Sequence, residues 1–187
     1  MGPQLIALYS PLPQSGKSTV AQALVSSRDF ALVKFADPFR SGLLGALRDA
    51  GIPERQCRDL IEGPLKETTL PYINASIRDL LMGMGEGARQ QAPDVWAYLA
   101  KAKAQRLLKE GMSVVIDDLR RPNEYEAVIS LGGTPVKVHR PGVYSRYSSN
   151  EGLLESYPMV ELTNNGTLAQ LRACAEGLPE LIANGTP

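Results

Sequence analysis

One histidine occurs among the 187 residues, so a site built on several histidine ligands is excluded. The two cysteines, Cys57 and Cys174, stand far apart and form no CxxC pair. That suits reduced thiols, although two cysteines could in principle pair. Neither sign of charge is in excess: Lys+Arg and Asp+Glu each number 20. The simple argument for nucleic acid or an anionic membrane as partner is thereby removed, although a local basic groove is not. No window approaches the ~20 apolar residues of a membrane span, and no membrane partner is expected. The opening MGPQLIALYS has no charged n-region, and its apolar run is too short for a signal peptide. A cytoplasmic location is expected. Internal repeats and low-complexity tracts are also missing.

What is present is ordinary for a globular α/β chain: 43% hydrophobic and 21% charged residues, at a length suited to one sizeable domain. Short apolar runs alternate with helical patterns, which predicts a parallel sheet covered by helices. The candidate strands are Leu5–Tyr9, Leu32–Phe35, Val114–Asp117, Val136–His139 and, more weakly, Val160–Leu162. Pro93 sits near the first turn of a helix ending before Gly111, and Pro122 opens another that Gly132 and Gly133 stop. Thr167 and Gln170 form a capping-box pattern for a last helix, which Gly177 and Pro179 are expected to break early. Residues 37–91 show no convincing strand and predict a helical insertion over the sheet. Residues 141–158 are polar and Tyr-rich, and predict a mobile loop or lid. Both are assigned to one domain, 1–187.

The chemistry concentrates in three places. From Pro11 to Ser18 the sequence PLPQSGKS follows the phosphate-binding-loop pattern G-x-x-x-x-G-K-[ST], with proline in place of the first glycine. A proline lacks the N–H donor such a loop uses. Pro11 and Pro13 both precede the expected donor run Gln14, Ser15, Gly16, Lys17, Ser18 and Thr19, which keeps every amide. Lys17 would reach the outer phosphates of a nucleotide, and the Ser18 hydroxyl would ligate Mg2+. The alternative is an ordinary strand–turn–helix with a chance GKS. The preceding apolar strand and following helix favour the functional reading.

The second place is VVIDDLRRPNE, where an apolar strand ends in Asp117 and Asp118. This is the arrangement in which a strand-tip carboxylate holds Mg2+ or its water, and Asp117 is the preferred metal contact. The same pair could cap the helix at Pro122. The third is a set of arginines, Arg78, Arg89, Arg120, Arg140 and Arg146, able to clamp phosphate bidentately or to serve as surface ion pairs. His139 reads as structural. Trp96 alone would more often be core than a base-stacking platform.

Four stretches then carry a resemblance: FADPFR at 35–40, IRDLLMGMGEGARQQAPDVWA at 77–97, VVIDDLRRPNEYEAV at 114–128 and VELTNNGTLAQL at 160–171. Together with the loop, the chain resembles the bacteriophage-type deoxynucleoside monophosphate kinases of the P-loop NMP kinase group. The resemblance implies an α/β P-loop NTPase fold, with a five-stranded parallel sheet flanked by helices, a helical acceptor-binding insertion and a lid loop. It implies ATP as donor, Mg2+, and a deoxynucleoside monophosphate as acceptor. The expected catalytic set is Lys17, Arg120 and Asp118, and Ser18 and Asp117 hold the metal. Residues Gln14 to Thr19, Arg140, Asn165 and Gly166 bind the nucleotide, while Asp37, Arg78, Arg89 and Trp96 surround the acceptor. Arg146 joins Arg140 in the lid. Pro11 in the loop and the poorly matching lid depart from the family pattern.

Two other functions are compatible with these residues. One is a phage DNA-modification kinase acting on 5-hydroxymethyluracil in DNA, which the zero net charge disfavours. The other is a non-catalytic nucleotide-binding P-loop protein, against which Lys17, Ser18 and Asp117 stand. The sequence allows a homodimer, and a phage-encoded chain would work in the host cytoplasm.

Overall fold

The structure is a computed structural model that describes residues 2–71, 73–142 and 152–185. It divides into two compact units, one formed by residues 1–35 and 97–187, the other by residues 36–96. No helix among the described residues is long and apolar enough to cross a membrane.

The first unit is built on a five-stranded sheet in the order β2-β5-β1-β6-β7. Its strands are β1 (Leu5–Tyr9), β2 (Ala31–Val33), β5 (Val114–Leu119), β6 (Thr134–His139) and β7 (Val160–Thr163), and every pairing is parallel. Helices α1 (Lys17–Arg28), α5 (Val95–Lys109), α6 (Pro122–Ile129) and α7 (Leu168–Ala183) connect and cover them, α5 beginning in the last residues of the second unit. All five residues of β1 are buried, as expected for a central strand covered on both faces. Its side chains alternate between two cores. Leu5, Ala7 and Tyr9 pack with Ala100, Ala104 and Leu107 of α5 and with Tyr125 and Val128 of α6. Ile6 and Leu8 pack with Val20, Ala21 and Leu24 of α1 and with Leu171, Ala175 and Leu178 of α7. Strand order reverses direction on either side of β1, so the loop that follows it lies at the sheet's switch point, where such folds bind ligands.

Several expectations need correction. Strand β2 ends at Val33, which leaves Lys34 and Phe35 outside it. Strand β5 runs two residues beyond Asp117 and carries a bulge. Ala7 is level with Ile116 and Tyr9 with Leu119, so Leu8 alone faces both Asp117 and Asp118. Helix α7 does not stop at Gly177 or Pro179 but continues to Ala183 with Pro179 inside it. Burial wins over propensity there: Leu171, Ala175, Leu178 and Ile182 keep one apolar stripe against the sheet. The Pro179 carbonyl also accepts a hydrogen bond from the Gln4 side chain at 3.0 Å.

Of the predicted lid, residues 143–151, including Arg146, lie outside the described residues. The part that follows is fastened down, not loose. Leu154 is 1% exposed in the core, Tyr157 stacks edge-on against Tyr125 at 4.8 Å, and the Tyr125 hydroxyl donates to the Pro158 carbonyl at 2.8 Å. Glu155 takes a hydrogen bond from the Tyr9 hydroxyl at 3.2 Å and pairs with Lys137 at 3.0 Å. Burial and the neighbouring Glu155 carboxylate push the Tyr9 pKa up, so this phenol stays protonated.

The second unit contains α2 (Asp37–Asp49), α3 (Glu54–Ile61), a small antiparallel hairpin of β3 (Thr69–Leu70) and β4 (Ala75–Ser76), and α4 (Ile77–Gln91). The hairpin is a feature the sequence pattern did not reveal, because strands of two residues carry no periodicity. Leu60, Ile61, Ile77 and Leu81 form its core, with Phe39, Leu43 and Leu47 packed on them. Ser76 caps α4 through a full capping box with Asp79.

Candidate nucleotide and metal site

Immediately after β1, Ser10 closes a tight turn by accepting from the Leu12 N–H at 3.3 Å. Pro11 and Pro13 stiffen this entry and take no part in the donor run that follows. Gln14 has φ of 57° and Gly16 has φ of 103°, so the chain turns left-handed on both sides of Ser15. The Gln14 carbonyl accepts from Arg140 Nη1 at 3.4 Å, and the Ser15 carbonyl accepts from Asn164 Nδ2 at 2.9 Å. In a trans peptide the C=O and the next N–H point in opposite directions. Tying these two carbonyls back therefore turns the N–H groups of Ser15 and Gly16 the other way, as an anion-binding nest requires.

Gly16 is required twice over. Its φ is unfavourable for any side chain, and a Cβ there would stand 2.8 Å from both Asn164 Nδ2 and Leu171 Cδ2. Helix α1 begins at the next residue, with Val20 N–H bonding the Gly16 carbonyl at 3.0 Å. The N–H groups of Lys17, Ser18 and Thr19 thus belong to the first helical turn, which has no carbonyls of its own to bond.

These residues line a cleft of about 350 Å³ with Arg140, Asn164, Gly166, Leu168 and Leu171. Among the described residues its charged lining is Lys17 and Arg140, with no carboxylate. A polar, cationic end meets a small apolar end at Leu168 and Leu171, which suits an anionic ligand carrying a flat apolar group. All of Gln14 to Thr19, Arg140 and Gly166 are brought together here. Asn165 is not on the lining: it is exposed, and its buried neighbour Asn164 faces the loop. The resemblance places the loop from Asn164 to Thr167 near the adenine but gives Asn164 no bond to the phosphate loop. The signal available was its position, directly after a strand edge and three residues before a capping box.

At the tip of β5 the bulge re-aims two adjacent carboxylates that a regular strand would send to opposite faces. Asp117 Oδ2 pairs with Lys34 Nζ at 3.0 Å, and Asp118 Oδ1 accepts from the Phe35 N–H at 3.0 Å. Asp118 thus ties the strand to the chain leaving β2. Asp117 keeps one oxygen, Oδ1, buried with no hydrogen-bond partner. Beyond the strand, Glu124 is 4% exposed and accepts from the N–H groups of Arg120 and Arg121 at 2.8 and 3.0 Å. That bond fixes the backbone at Arg120, whose side chain is exposed.

Among the described residues no group of three or more His, Cys, Asp or Glu could hold a metal by itself. One carboxylate and one hydroxyl suit Mg2+, which keeps waters and takes its remaining oxygens from phosphates. The orphaned Asp117 Oδ1 fits such an ion or its water. Ser18 lies on the cleft lining.

In the second unit the expected acceptor residues divide. Trp96 donates from Nε1 to the Gly85 carbonyl at 2.9 Å and packs edge-on against Phe39 at 5.1 Å. Arg89 lies beside Gly85 and pairs with Glu86 at 3.3 Å. Arg78 instead pairs with Glu67 at 2.9 Å on an exposed face. Asp37 opens α2. Arg40, the last residue of the FADPFR stretch, has its Nε buried without a hydrogen-bond partner.

The solved structures most informative for the fold are distant in sequence. A "putative kinase" from Chloroflexus aurantiacus J-10-fl matches at a TM-score of 0.52 and 17% identity, covering 99% of this chain and 98% of that one. Dephospho-CoA kinase from Campylobacter jejuni matches at 0.50 and 16%, covering 98% of each. This is the P-loop kinase fold. In sequence, the "Putative deoxynucleotide monophosphate kinase" of Acanthamoeba polyphaga mimivirus is 27% identical over 185 residues, which span 89% of this chain and 94% of the relative. No protein-family model matches.

Proposed function

We propose that the chain transfers the γ-phosphoryl group of ATP to a deoxynucleoside monophosphate. The observation that carries this reading is the loop itself: carbonyls of Gln14 and Ser15 tied back by Arg140 and Asn164, at a cleft with Lys17 and Arg140 as its charges. The choice of acceptor is supported by the similarity to the mimivirus protein over nearly its whole length.

In this reading an acceptor phosphate oxygen bonds to the γ-phosphorus in line as the bond to the β–γ bridging oxygen breaks, giving ADP and a deoxynucleoside diphosphate. The enzyme forms no covalent intermediate, so no activated nucleophile is needed. Backbone N–H groups of the loop and the Lys17 ammonium bind the donor phosphates and offset charge gathered in the transition state. Ser18 and Asp117 would hold Mg2+, which supplies charge neutralisation of the phosphates when bound. Arg120, exposed after β5, is assigned to the transferring group. Leu168 and Leu171 give the adenine an apolar surface. Arg89 and Trp96, with Asp37, are assigned to the acceptor, and the Arg40 Nε, buried without a hydrogen-bond partner, adds a cation suited to its phosphate, while Arg78, paired with Glu67 on an exposed face, is given no direct part.

A screen of ADP release with ATP and Mg2+ tests this directly. The acceptors are each dNMP, each NMP and hydroxymethyluracil-containing DNA. Turnover on at least one dNMP is expected. Activity confined to the DNA, or no acceptor-dependent release at all, would overturn the assignment.

A further inference from the structure

The Lys34–Asp117 pair sits outside the cleft lining, yet it involves the carboxylate assigned to the metal. The Asp117 side chain is 8% exposed and that of Lys34 26%. One carboxylate oxygen is therefore committed to an ammonium while the other is buried without a partner. The bulge in β5 makes this possible, because it brings Asp117 and Asp118 together to the segment that leaves β2.

We propose that Lys34 is a counter-ion that keeps Asp117 from taking a divalent cation until a nucleotide is bound. The proposal rests on the phosphoryl-transfer reading and adds a regulation of its metal site. Asp117 without Lys34 would be a nearly buried anion with one unpartnered oxygen, and a dication would be drawn to it whether or not phosphate is present. The ammonium at 3.0 Å removes that attraction. A unit charge about 6 Å from a dication opposes binding by roughly 10-fold in affinity even at the dielectric constant of water, and by more at a site as buried as this one. Nucleotide phosphates reverse the balance, since they bring several negative charges and most of the ligand oxygens. Metal would thus load with ATP and not ahead of it. A merely structural ion pair makes the opposite demand: losing it should loosen the strand tip and leave metal affinity unchanged or weaker.

The experiment measures Mn2+ binding by the full chain, through the electron paramagnetic resonance signal of free Mn2+. Wild type, Lys34→Gln, Lys34→Arg and the double variant Lys34→Gln/Asp117→Asn are compared, with and without a non-hydrolysable ATP analogue. Without nucleotide, Lys34→Gln should bind Mn2+ at least about 10-fold more tightly than wild type, from the Coulomb argument above. Lys34→Arg should resemble wild type, and adding Asp117→Asn should abolish the gain. With the analogue, the gap between Lys34→Gln and wild type should shrink. Equal or weaker Mn2+ binding by nucleotide-free Lys34→Gln overturns the proposal, as does a gain that survives Asp117→Asn. Lys34→Met replaces Lys34→Gln should that variant not fold. Failure of wild type to bind Mn2+ even with the analogue would instead overturn the phosphoryl-transfer reading beneath it.

Discussion

Asn164 donates from its side-chain nitrogen to the Ser15 carbonyl across 149 positions of sequence, at 2.9 Å and out of contact with water. Its own N–H bonds the His139 carbonyl, so it ties β6, the turn before α7 and the phosphate loop to one another. Replacing it by Leu leaves the Ser15 carbonyl buried and unsatisfied, at a cost of about 1–3 kcal/mol. Asn164→Asp should be worse, because a carboxylate would face a carbonyl oxygen. Both variants should lower the melting temperature and weaken ATP binding in calorimetry. Unchanged ATP affinity in a folded Asn164→Leu would show that the loop holds its shape without this bond.

Lys17 carries the charge argument of the cleft. Lys17→Ala should cut turnover by at least ~10²-fold while leaving the melting temperature nearly unchanged, since an ammonium acts on charge that develops in the transition state. Near-normal kcat with the acceptor found in the screen would remove Lys17 from the mechanism.

Asp117 and Asp118 should separate cleanly under amide substitution. Asn at 118 can still accept from the Phe35 N–H, so Asp118→Asn should fold normally and change the Mg2+ requirement little. Asp117→Asn removes the charge that faces Lys34 and the orphaned oxygen, and should shift the Mg2+ activation curve to higher concentration. Equal curves for the two variants would assign both residues to holding the strand tip.

Much of this was legible in the chain. Strand β1 was read to the residue because five consecutive apolar residues allow nothing else before a loop, and Thr167 announced α7 through its capping box. Pro179 misled because a local cost of a few kcal/mol is visible in sequence, whereas a stripe buried against strands as distant in sequence as β1 is not. The bulge at Leu8 was invisible for a similar reason: register depends on both strands at once. The roles of Lys34 and Asn164 were hidden as well, because both act through partners distant in sequence.

The cap of α4 gives a pH signature. The Ser76 hydroxyl and N–H both bond Asp79 and hold its carboxyl below the usual carboxylate range. A depressed pKa contributes stability that is present above the unfolded value near ~4 and is lost as pH falls through the folded one. Asp79→Asn should therefore lower the melting temperature at pH 7, and the difference should shrink as pH falls below ~4. Exposed Glu54, held at about 2 by Arg48, also titrates in acid but cancels between the two proteins. Ser76→Ala should cost about 1 kcal/mol at pH 7 as a lost cap. A gap between wild type and Asp79→Asn that stays constant from pH 7 to 3 would mean that the charge of Asp79 does not matter.

Two arginines of the second unit, Arg78 and Arg89, offer the sharpest test of the acceptor. Arg89 is 22% exposed and stands beside Gly85, whose carbonyl holds Trp96, while Arg78 is 53% exposed and paired with Glu67. An exposed pair of that kind contributes little and is easily exchanged for water. Lysine keeps the charge but loses the planar fork that grips a phosphate with two parallel bonds. Arg89→Lys should therefore raise the dNMP KM about 10-fold or more with little change in the ATP KM, a loss of binding confined to one substrate. Arg78→Lys should move the dNMP KM by less than about threefold, as befits a surface ion pair. Steady-state kinetics with each substrate varied in turn decides between them. A larger effect at Arg78 would mean that its bond to Glu67 is exchanged for the acceptor phosphate. Equal effects on the ATP and dNMP KM values would take Arg89 out of acceptor recognition altogether.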